Sequence, residues 1–265
     1  MYHKTYGYHG EIQTTVDEIE HIDKIPEHSF KCGELPPKEH IESLVEASMK
    51  LGELYREIKP EIIYAPLRGA YPLPRLIALS ARLEEIEIFF PATTSFIYLA
   101  SNNRTLWGHD FNIMMLKTLM KYNAINGKII YIDEIVSGGM INAHTRHMVG
   151  DIDKKKKKKR EQGIILPKVQ NKEAELHVIG VADAKGKRMT PGNRRAMEKR
   201  EKAGLIKFYI VPTEHLCTED NVPLLGIHYM GRENGPRVIS AKYIKGFWEA
   251  YRRFWITIEE NLISN

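Results

Sequence analysis

The chain has 265 residues, of which 43% are hydrophobic and 9% aromatic, and its formal net charge is +5. This hydrophobic content excludes a disordered chain, and the length suffices for one sizeable core. The charge excess comes from one run, Lys154 to Arg160, without which basic residues no longer outnumber acidic ones. Net charge therefore does not indicate a nucleic-acid-binding face, which would need basic residues spread over a folded surface.

Cysteine usage and hydropathy bear on the compartment. Cys32 and Cys217 lie far apart and outside any CxxC pattern, so they predict neither a disulfide framework nor a cysteine zinc site. The first residues lack the apolar core of a signal peptide, and no apolar run is long enough to form a transmembrane helix. We therefore expect a cytoplasmic protein with no membrane partner.

Predicted helices and strands alternate along the chain. Short β-branched runs between turn residues predict strands over 61–65, 86–90, 95–99, 128–132, 176–182, 206–211 and 224–229. Apolar residues at helical spacing predict helices over 38–59, 72–83, 111–122, 140–149, 194–202 and 241–262. This order predicts an α/β fold, with a mostly parallel sheet and helices on both faces.

Three segments are expected. Residues 1–60 form an N-terminal segment and helix, a candidate hood over the site, and residues 61–230 form the α/β core. The core carries a basic insertion at 151–162. Residues 231–265 hold an aromatic helix, which is expected to pack either on the sheet or on a second copy of the chain.

The loop after the first core strand is suited to an anion. The segment Leu67-Arg68-Gly69-Ala70-Tyr71 joins the strand over 61–65 to the following helix. Gly69 permits a close main-chain approach, and Arg68 supplies a permanent forked charge that matches phosphate or pyrophosphate. In an open parallel sheet, ligands bind beyond the carboxyl ends of the strands, where this loop lies.

A second loop combines carboxylates with small residues. The strand over 128–132 delivers Asp133 and Glu134 to the sheet edge, and Ser137-Gly138-Gly139 then opens a helix. Carboxylates can accept hydrogen bonds from vicinal sugar hydroxyls or help to hold Mg²⁺. Main-chain N–H groups at a helix N-terminus favour a phosphate. The pattern fits a sugar phosphate such as ribose 5-phosphate.

These two loops resemble those of the type I phosphoribosyltransferases. The run Asp133-Glu134-Ile135-Val136-Ser137-Gly138-Gly139 matches the family signature in order and spacing. The upstream Leu67-Arg68-Gly69-Ala70-Tyr71 is similar to the pyrophosphate loop of the hypoxanthine-guanine branch, which runs Leu-Lys-Gly-Gly-Tyr. The resemblance covers roughly residues 61–229 and is concentrated in the two motifs.

The resemblance implies Mg²⁺-dependent transfer of a phosphoribosyl group from phosphoribosyl pyrophosphate to a nucleobase or related nitrogen acceptor. It implies catalytic roles for Asp133, Glu134 and Arg68, with the Mg²⁺ carried by the substrate beside the two carboxylates. The phosphate-binding residues would be Leu67, Gly69, Ala70, Ser137, Gly138, Gly139 and Met140. Lys185 is a candidate base-binding residue, and Ser95, Arg104 and His109 fall where the family has a mobile loop. A homodimer or other homo-oligomer is expected.

Two departures from the family keep other functions open. Met140 and Ile141 stand where the family usually has a threonine hydroxyl, and neither side chain can donate a hydrogen bond. Purine-salvage members commonly carry an acid at the place of Ser137, so this position does not favour a purine acceptor. The alternative is a catalytically inactive regulator or effector that binds a nucleotide or phosphoribosyl ligand. Nucleic-acid contact through the lysine run is a further alternative that the charge distribution does not favour.

Overall fold

The computed structural model describes residues 2–5, 35–66, 70, 72–83, 85–89, 126–135, 137–150, 163–182, 188–214, 227–230, 237–240 and 247–264. Its helices are α1 (Lys38–Ile58), α2 (Leu73–Ala81), α3 (Gly139–Val149), α4 (Leu166–Gln170), α5 (Pro191–Lys202) and α6 (Phe247–Ser264). Its strands are β1 (Tyr2–Thr5), β2 (Ile62–Tyr64), β3 (Glu85–Phe89), β4 (Lys128–Glu134), β5 (Glu175–Ala182), β6 (Lys207–Pro212), β7 (Ile227–Met230) and β8 (Arg237–Ser240).

The main sheet has the strand order β1-β3-β2-β4-β5-β6, and every neighbouring pair in it is parallel. In the middle of the sheet, Ile129 of β4 pairs with Ile62 on one side and with Leu176 on the other. An α/β fold with a parallel sheet is therefore confirmed.

Alternate residues of β4 pack into two separate hydrophobic clusters. Ile130 and Ile132 belong to a first cluster, together with buried residues of α1, α2 and α6. Ile129 and Tyr131 belong to a second cluster, with buried residues of α3, α4 and α5. The split follows from the two-residue period of a strand, which sends successive side chains in opposite directions. Apolar burial in these clusters is the main stabilising contribution to the fold.

The first and last helices belong to the first cluster. The apolar positions of α1 recur at helical spacing, and the helix ends where Lys59 turns into the left-handed region (φ 52°) and Pro60 follows. Phe254 and Trp255 of α6 are buried against the same cluster. Trp255 also lies under the guanidinium of Arg75, whose Cζ is 4.1 Å from the ring centroid. Phe254 and Trp255 of the C-terminal helix therefore pack on their own chain.

The described residues on either side of the lysine run lie close together. Helix α3 ends at Val149, and after residues 151–162, which lie outside the described ranges, the chain resumes at Gly163. The N–H groups of Ile164 and Ile165 donate to the carbonyls of His147 and Met148 at 3.1 and 2.9 Å. The described residues that flank 151–162 therefore meet at the C-terminus of α3, whereas Gly139 begins the helix at the other end.

One predicted strand requires a correction. The strand predicted over 224–229 is β7, and β7 pairs antiparallel with β8 in a separate two-stranded sheet. The connection over 231–236 is too short for the crossover that a parallel pair needs, so an antiparallel pair is what this spacing permits. The sequence reasoning also missed β1, α4 and β8. The strand predicted over 95–99 and the helix predicted over 111–122 lie outside the described residues.

The remaining boundaries agree within a few residues. The described part of α6 begins at Phe247 against a predicted start at residue 241, and α5 begins at Pro191 rather than at residue 194. Here Thr190 is the N-cap, its hydroxyl accepts from the N–H of Asn193, and proline occupies the first turn. None of the helices in the described ranges is both long and apolar enough to cross a membrane.

Candidate functional site

The sheet topology marks one place for a ligand. From β2 the chain passes through α2 to β3 on one side, whereas from β4 it passes through α3 and α4 to β5 on the other. The connections that leave the neighbouring strands β2 and β4 therefore lead in opposite directions, so the strand order reverses between these two strands. In open parallel sheets, ligands bind in the crevice that such a reversal opens beyond the carboxyl ends of the strands. The crevice after β2 and β4 is therefore the candidate site.

The acidic pair lies at this edge. Asp133 and Glu134 are the last two residues of β4 and stand in register with Gly180 and Val181 of β5. They are largely buried, with only 9% and 8% of their surfaces exposed. Gly180 has no room for a side chain, because a Cβ there would lie 2.9 Å from Cγ1 of Ile135 and closer still to its Cδ1. The residue that follows the pair is thereby packed against the β5 backbone.

Asp133 is held by two donors. The Tyr131 hydroxyl donates to Oδ2 at 3.3 Å, and the main-chain N–H of Glu134 donates to Oδ1 at 2.9 Å. Burial, followed by the charge of Glu134, raises the pKa of Asp133 from 3.8 to about 8. In the ligand-free protein at neutral pH, the protonated form of this carboxyl is therefore favoured.

A buried histidine completes this environment. His144 of α3 is fully buried, and its Nδ1 lies 2.9 Å from the Tyr131 hydroxyl oxygen. Burial, with a smaller contribution from the charge of His147, lowers the pKa of His144 to about 3. His147 is also buried, at 4% exposure. His144 and His147 therefore both lie in the interior, and His144 is a neutral partner of Tyr131.

The segment after the acidic pair turns sharply into α3. Gly138 is the N-cap residue in the left-handed conformation (φ 76°), and Gly139 begins the helix. The N–H of Gly139 lies 3.4 Å from the exposed Ser137 hydroxyl, and the first turn of α3 contains no acidic residue. Main-chain donors at a helix N-terminus with no competing carboxylate favour an anion. We call residues 137–140 the phosphate loop.

Neither Met140, the last residue of the phosphate loop, nor the following Ile141 carries a side-chain hydroxyl. Met140 is half-buried, and Ile141 is buried at 1% exposure within the second hydrophobic cluster. Neither supplies the hydroxyl that the resembled family has there, so any phosphate in this loop would rely on main-chain N–H groups and Ser137.

The upstream loop is described only in part. Ala70 is fully buried, its N–H donates to the Pro66 carbonyl at 3.3 Å, and its own carbonyl accepts from Leu73 N–H at 3.1 Å. This turn connects β2 to α2 at the candidate crevice. The other predicted residues lie outside the described ranges, namely Leu67, Arg68, Gly69, Tyr71, Ser95, Arg104, His109 and Lys185.

The donor set suits a cation that arrives with a ligand. Among the described residues, no group of three or more His, Cys, Asp or Glu side chains could hold a metal ion. Asp133 and Glu134 provide one pair of carboxylates. Mg²⁺ commonly binds through one or two carboxylates together with substrate phosphates and waters, so this pair fits a substrate-borne ion rather than a resident one.

Several neighbours of the site were not predicted. Tyr131 stands two residues before Asp133, and the strand period alone would have placed both side chains in one direction. Thr190 N–H and the Asn193 side chain both donate to the Ser137 carbonyl, at 3.1 and 2.9 Å. No signal in the sequence links residues this far apart, because their contact depends on how α5 docks against α3.

Comparison with known proteins returned no relative: no protein-family model matches the chain, and neither does any curated protein or solved structure.

Proposed function

We propose that this chain is a type I phosphoribosyltransferase-like protein that transfers a phosphoribosyl group from phosphoribosyl pyrophosphate to a nucleobase or related nitrogen acceptor. One observation carries the proposal: an acidic pair ends β4 at the strand-order reversal, and a helix that begins with glycine follows it. The two hydrophobic clusters, which take alternate residues of β4, support the finer fold with helices on both faces of the sheet.

In this proposal the two loops hold opposite ends of the substrate. Asp133 and Glu134 accept hydrogen bonds from the ribose hydroxyls, and the phosphate loop, Ser137 through Met140, donates to the 5-phosphate. The loop with Leu67, Arg68, Gly69 and Ala70 holds the pyrophosphate, where the charge of Arg68 offsets the negative charge that develops on the leaving group.

The reaction then depends mostly on positioning. The bond from the ribose carbon to pyrophosphate breaks, a bond from the same carbon to the acceptor nitrogen forms, and that nitrogen loses its proton. Fixing both reactants removes the entropic cost of bringing them together. When bound with the substrate, Mg²⁺ would supply neutralisation of the pyrophosphate charge.

A second function is favoured by a specific observation. Ile141 is packed into the second hydrophobic cluster, and Met140 beside it offers no hydroxyl. A phosphate loop without that donor can still bind, through its main-chain groups, while stabilising the transition state less. The alternative is therefore a catalytically inactive regulator or effector that binds a nucleotide or phosphoribosyl ligand, with nucleic-acid contact through the lysine run as an additional role.

The test combines turnover with binding. The purified protein is incubated with phosphoribosyl pyrophosphate, Mg²⁺ and a panel of nucleobases, nucleotide formation is followed by chromatography, and binding of phosphoribosyl pyrophosphate is measured by calorimetry. Nucleotide formation supports the transferase, whereas saturable binding without turnover supports the regulator. Absence of both contradicts both functions.

Isosteric variants connect the result to the site. Asp133→Asn and Glu134→Gln should each abolish turnover or weaken ligand binding at least tenfold, because an amide presents one acceptor oxygen where the ligand-bound carboxylate presents two. Glu175→Gln is the matched control. Glu175 is the first residue of β5 and therefore lies at the amino ends of the strands, whereas Asp133 and Glu134 lie at the carboxyl ends. Equal effects of all three variants would contradict the assignment.

Assembly and location belong to the same proposal. We place the protein in the cytoplasm as a homo-oligomer without a membrane partner. Light scattering of the purified chain measures the assembly state, and a monomer at all concentrations would contradict that part of the proposal.

A further inference from the structure

The strongest unassigned feature is a chain of side-chain hydrogen bonds that ends on the phosphate loop. Arg200 Nη1 donates to Asn142 Oδ1 at 2.7 Å, and Asn142 Nδ2 donates to Asn193 Oδ1 at 2.9 Å. Asn193 Nδ2 then donates to the Ser137 carbonyl at 2.9 Å. We name this the Arg200–Asn193 chain. It runs from α5 to α3, back to α5, and then to the loop.

The direction of the Arg200–Asn193 chain is set at its two ends. A guanidinium can only donate hydrogen bonds, and a main-chain carbonyl can only accept them. The amide groups of Asn142 and Asn193 must therefore both present oxygen toward Arg200 and nitrogen toward Ser137. Arg200 is buried at 3% exposure, where its charge polarises the hydrogen bonds that follow it.

The Ser137 carbonyl is held from one side by two groups of the same helix start. Besides Asn193, the N–H of Thr190 donates to it at 3.1 Å. Met189 closes the space beneath Gly138, because a Cβ at Gly138 would lie 2.8 Å from its Cγ and Cε. The segment 189–193 thus supports the phosphate loop with two hydrogen bonds and one packed side chain.

Fixing this carbonyl also orients a donor. In a trans peptide the C=O and the following N–H point in opposite directions. Since the Ser137 carbonyl points toward α5, the N–H of Gly138 points away from α5. A main-chain donor that is fixed before ligand binding costs less ordering when an anion arrives.

We propose that Asn193 is a positioning residue for the phosphate loop and that Asn142 and Arg200 act through it. Their contribution is specific to the phosphate end of the substrate. This inference rests on the proposed function, because it assigns the anion held by the phosphate loop to the 5-phosphate of a phosphorylated ribose.

The test separates the two ends of the substrate. Binding of ribose 5-phosphate and of magnesium pyrophosphate is measured by calorimetry for the full-length wild-type chain and for Asn193→Ala. The variant should bind ribose 5-phosphate roughly three- to tenfold more weakly, as the loss of one hydrogen bond implies, with unchanged pyrophosphate affinity. A merely structural defect would weaken both ligands.

Two further variants calibrate the result. Asn261→Ala removes a comparable amide-to-carbonyl hydrogen bond, from Asn261 Nδ2 to the Thr257 carbonyl at 2.8 Å, in α6. It should leave both affinities unchanged. Asn142→Ala keeps Asn193 but removes its orienting partner, so its effect on ribose 5-phosphate should fall between the other two and supports the inference even if Asn193→Ala does not fold.

A ligand-free readout accompanies the binding data. The N–H of Asn142 donates to the Gly138 carbonyl at 3.0 Å, and its hydrogen exchange should be faster in Asn193→Ala than in Asn261→Ala. If the wild-type chain binds ribose 5-phosphate and Asn193→Ala binds it equally well, or loses both ligands equally, the inference is overturned while the proposed function stands. If the wild-type chain binds neither ligand, the proposed function fails and the inference fails with it.

Discussion

The hydroxyl of Tyr131 donates a hydrogen bond to Oδ2 of Asp133 at 3.3 Å, and the Tyr131 hydroxyl oxygen also lies 2.9 Å from Nδ1 of His144. One carboxylate of the acidic pair is therefore engaged by the interior of the protein before any ligand arrives. Asp133 therefore contacts Tyr131 in the interior and also lies at the sheet edge, where we propose that it binds the ligand. A substitution at Tyr131 should therefore affect Asp133 at the candidate site.

Tyr131→Phe should destabilise the protein and raise the pKa of Asp133 further. The variant leaves Asp133 and His144 each without one buried partner, which costs about 1–3 kcal/mol. The hydrogen bond from Tyr131 lowers the pKa of Asp133, so its loss moves that pKa upward from about 8. Urea unfolding measures the first effect, and a carboxyl ¹³C titration measures the second.

Tyr209→Phe is the control for this prediction. Its hydroxyl lies 3.3 Å from Nδ1 of His177, so the substitution removes a similar hydrogen bond elsewhere in the sheet. The pKa of Asp133 should not change in that variant. An unchanged Asp133 titration in Tyr131→Phe would show that the hydroxyl does not act on the carboxyl.

Stability should fall as pH rises from about 6.5 to 8. The pKa of Asp133 is 3.8 in the unfolded chain and about 8 in the folded protein, so the folded state holds the extra proton and stability decreases with pH across that interval. For His144 the pKa falls from 6.5 to about 3 on folding, so its contribution rises with pH only below 6.5. Above 6.5 the Asp133 effect stands without that compensation.

The variant Asp133→Asn isolates the contribution of Asp133 to the pH dependence of stability. The slope from Asp133 is on the order of 1 kcal/mol per pH unit, and the variant should lose it. The free energy of unfolding is measured in urea at pH 6.5, 7.2 and 8 for both proteins. Parallel pH profiles would contradict a raised pKa at Asp133.

The sequence predicted the parts of this fold that depend on local pattern. The helix α1 and the strand β4 follow from helical spacing and from a β-branched run, and both are confirmed. The four-residue β1 (YHKT) and the five-residue α4 offered too short a pattern to recognise. The antiparallel pairing of β7 depended on β8, which was not predicted.

For the candidate site, sequence reasoning reached the residues that share a strand or loop. Asp133 and Glu134 end β4, and Gly139 begins α3 directly after the N-cap Gly138, as the motif implied. The contact between Asn193 and Ser137 joins residues 56 positions apart. It exists because α5 docks beside α3, and neither helix encodes that docking in its own spacing.

Gly138→Ala should destabilise the protein more than the same change at two control glycines. Gly138 has a φ of 76°, and a Cβ there would lie 2.8 Å from Met189 atoms. Gly204 has a φ of 68° with nothing within 4 Å, so Gly204→Ala measures the backbone cost alone, about 1 kcal/mol. Crowding by Met189 should add about 1–2 kcal/mol at Gly138.

The third glycine supplies the baseline. Gly192 lies in the first turn of α5 with no atom within 4 Å of an added Cβ, so Gly192→Ala should be neutral or slightly stabilising. Urea unfolding ranks the three variants, and ribose 5-phosphate binding should weaken only in Gly138→Ala. If Gly204→Ala and Gly138→Ala cost the same, Met189 does not constrain the loop.

Gly180→Ala should be destabilising and should be rescued in part by Ile135→Val. An added Cβ at Gly180 would lie 2.9 Å from Cγ1 of Ile135 and nearer to its Cδ1, so the alanine overpacks this contact by about 1–3 kcal/mol. Valine lacks Cδ1 and removes the worst overlap. The double variant should therefore lose less stability than the sum of the two single variants.

Ile141 provides the matched comparison for this cycle. Its Cδ1 would lie 3.5 Å from the added Cβ, which is an ordinary contact, so Ile141→Val should not rescue Gly180→Ala. Both cycles are measured by urea unfolding under one set of conditions. Ile135, the residue after Glu134, also donates its N–H to the Val181 carbonyl of β5 at 2.7 Å. A positive coupling for Ile135 with additivity for Ile141 would show that the absence of a side chain at Gly180 lets Ile135 keep this position. Additivity in both cycles would mean that the strand end can shift without cost.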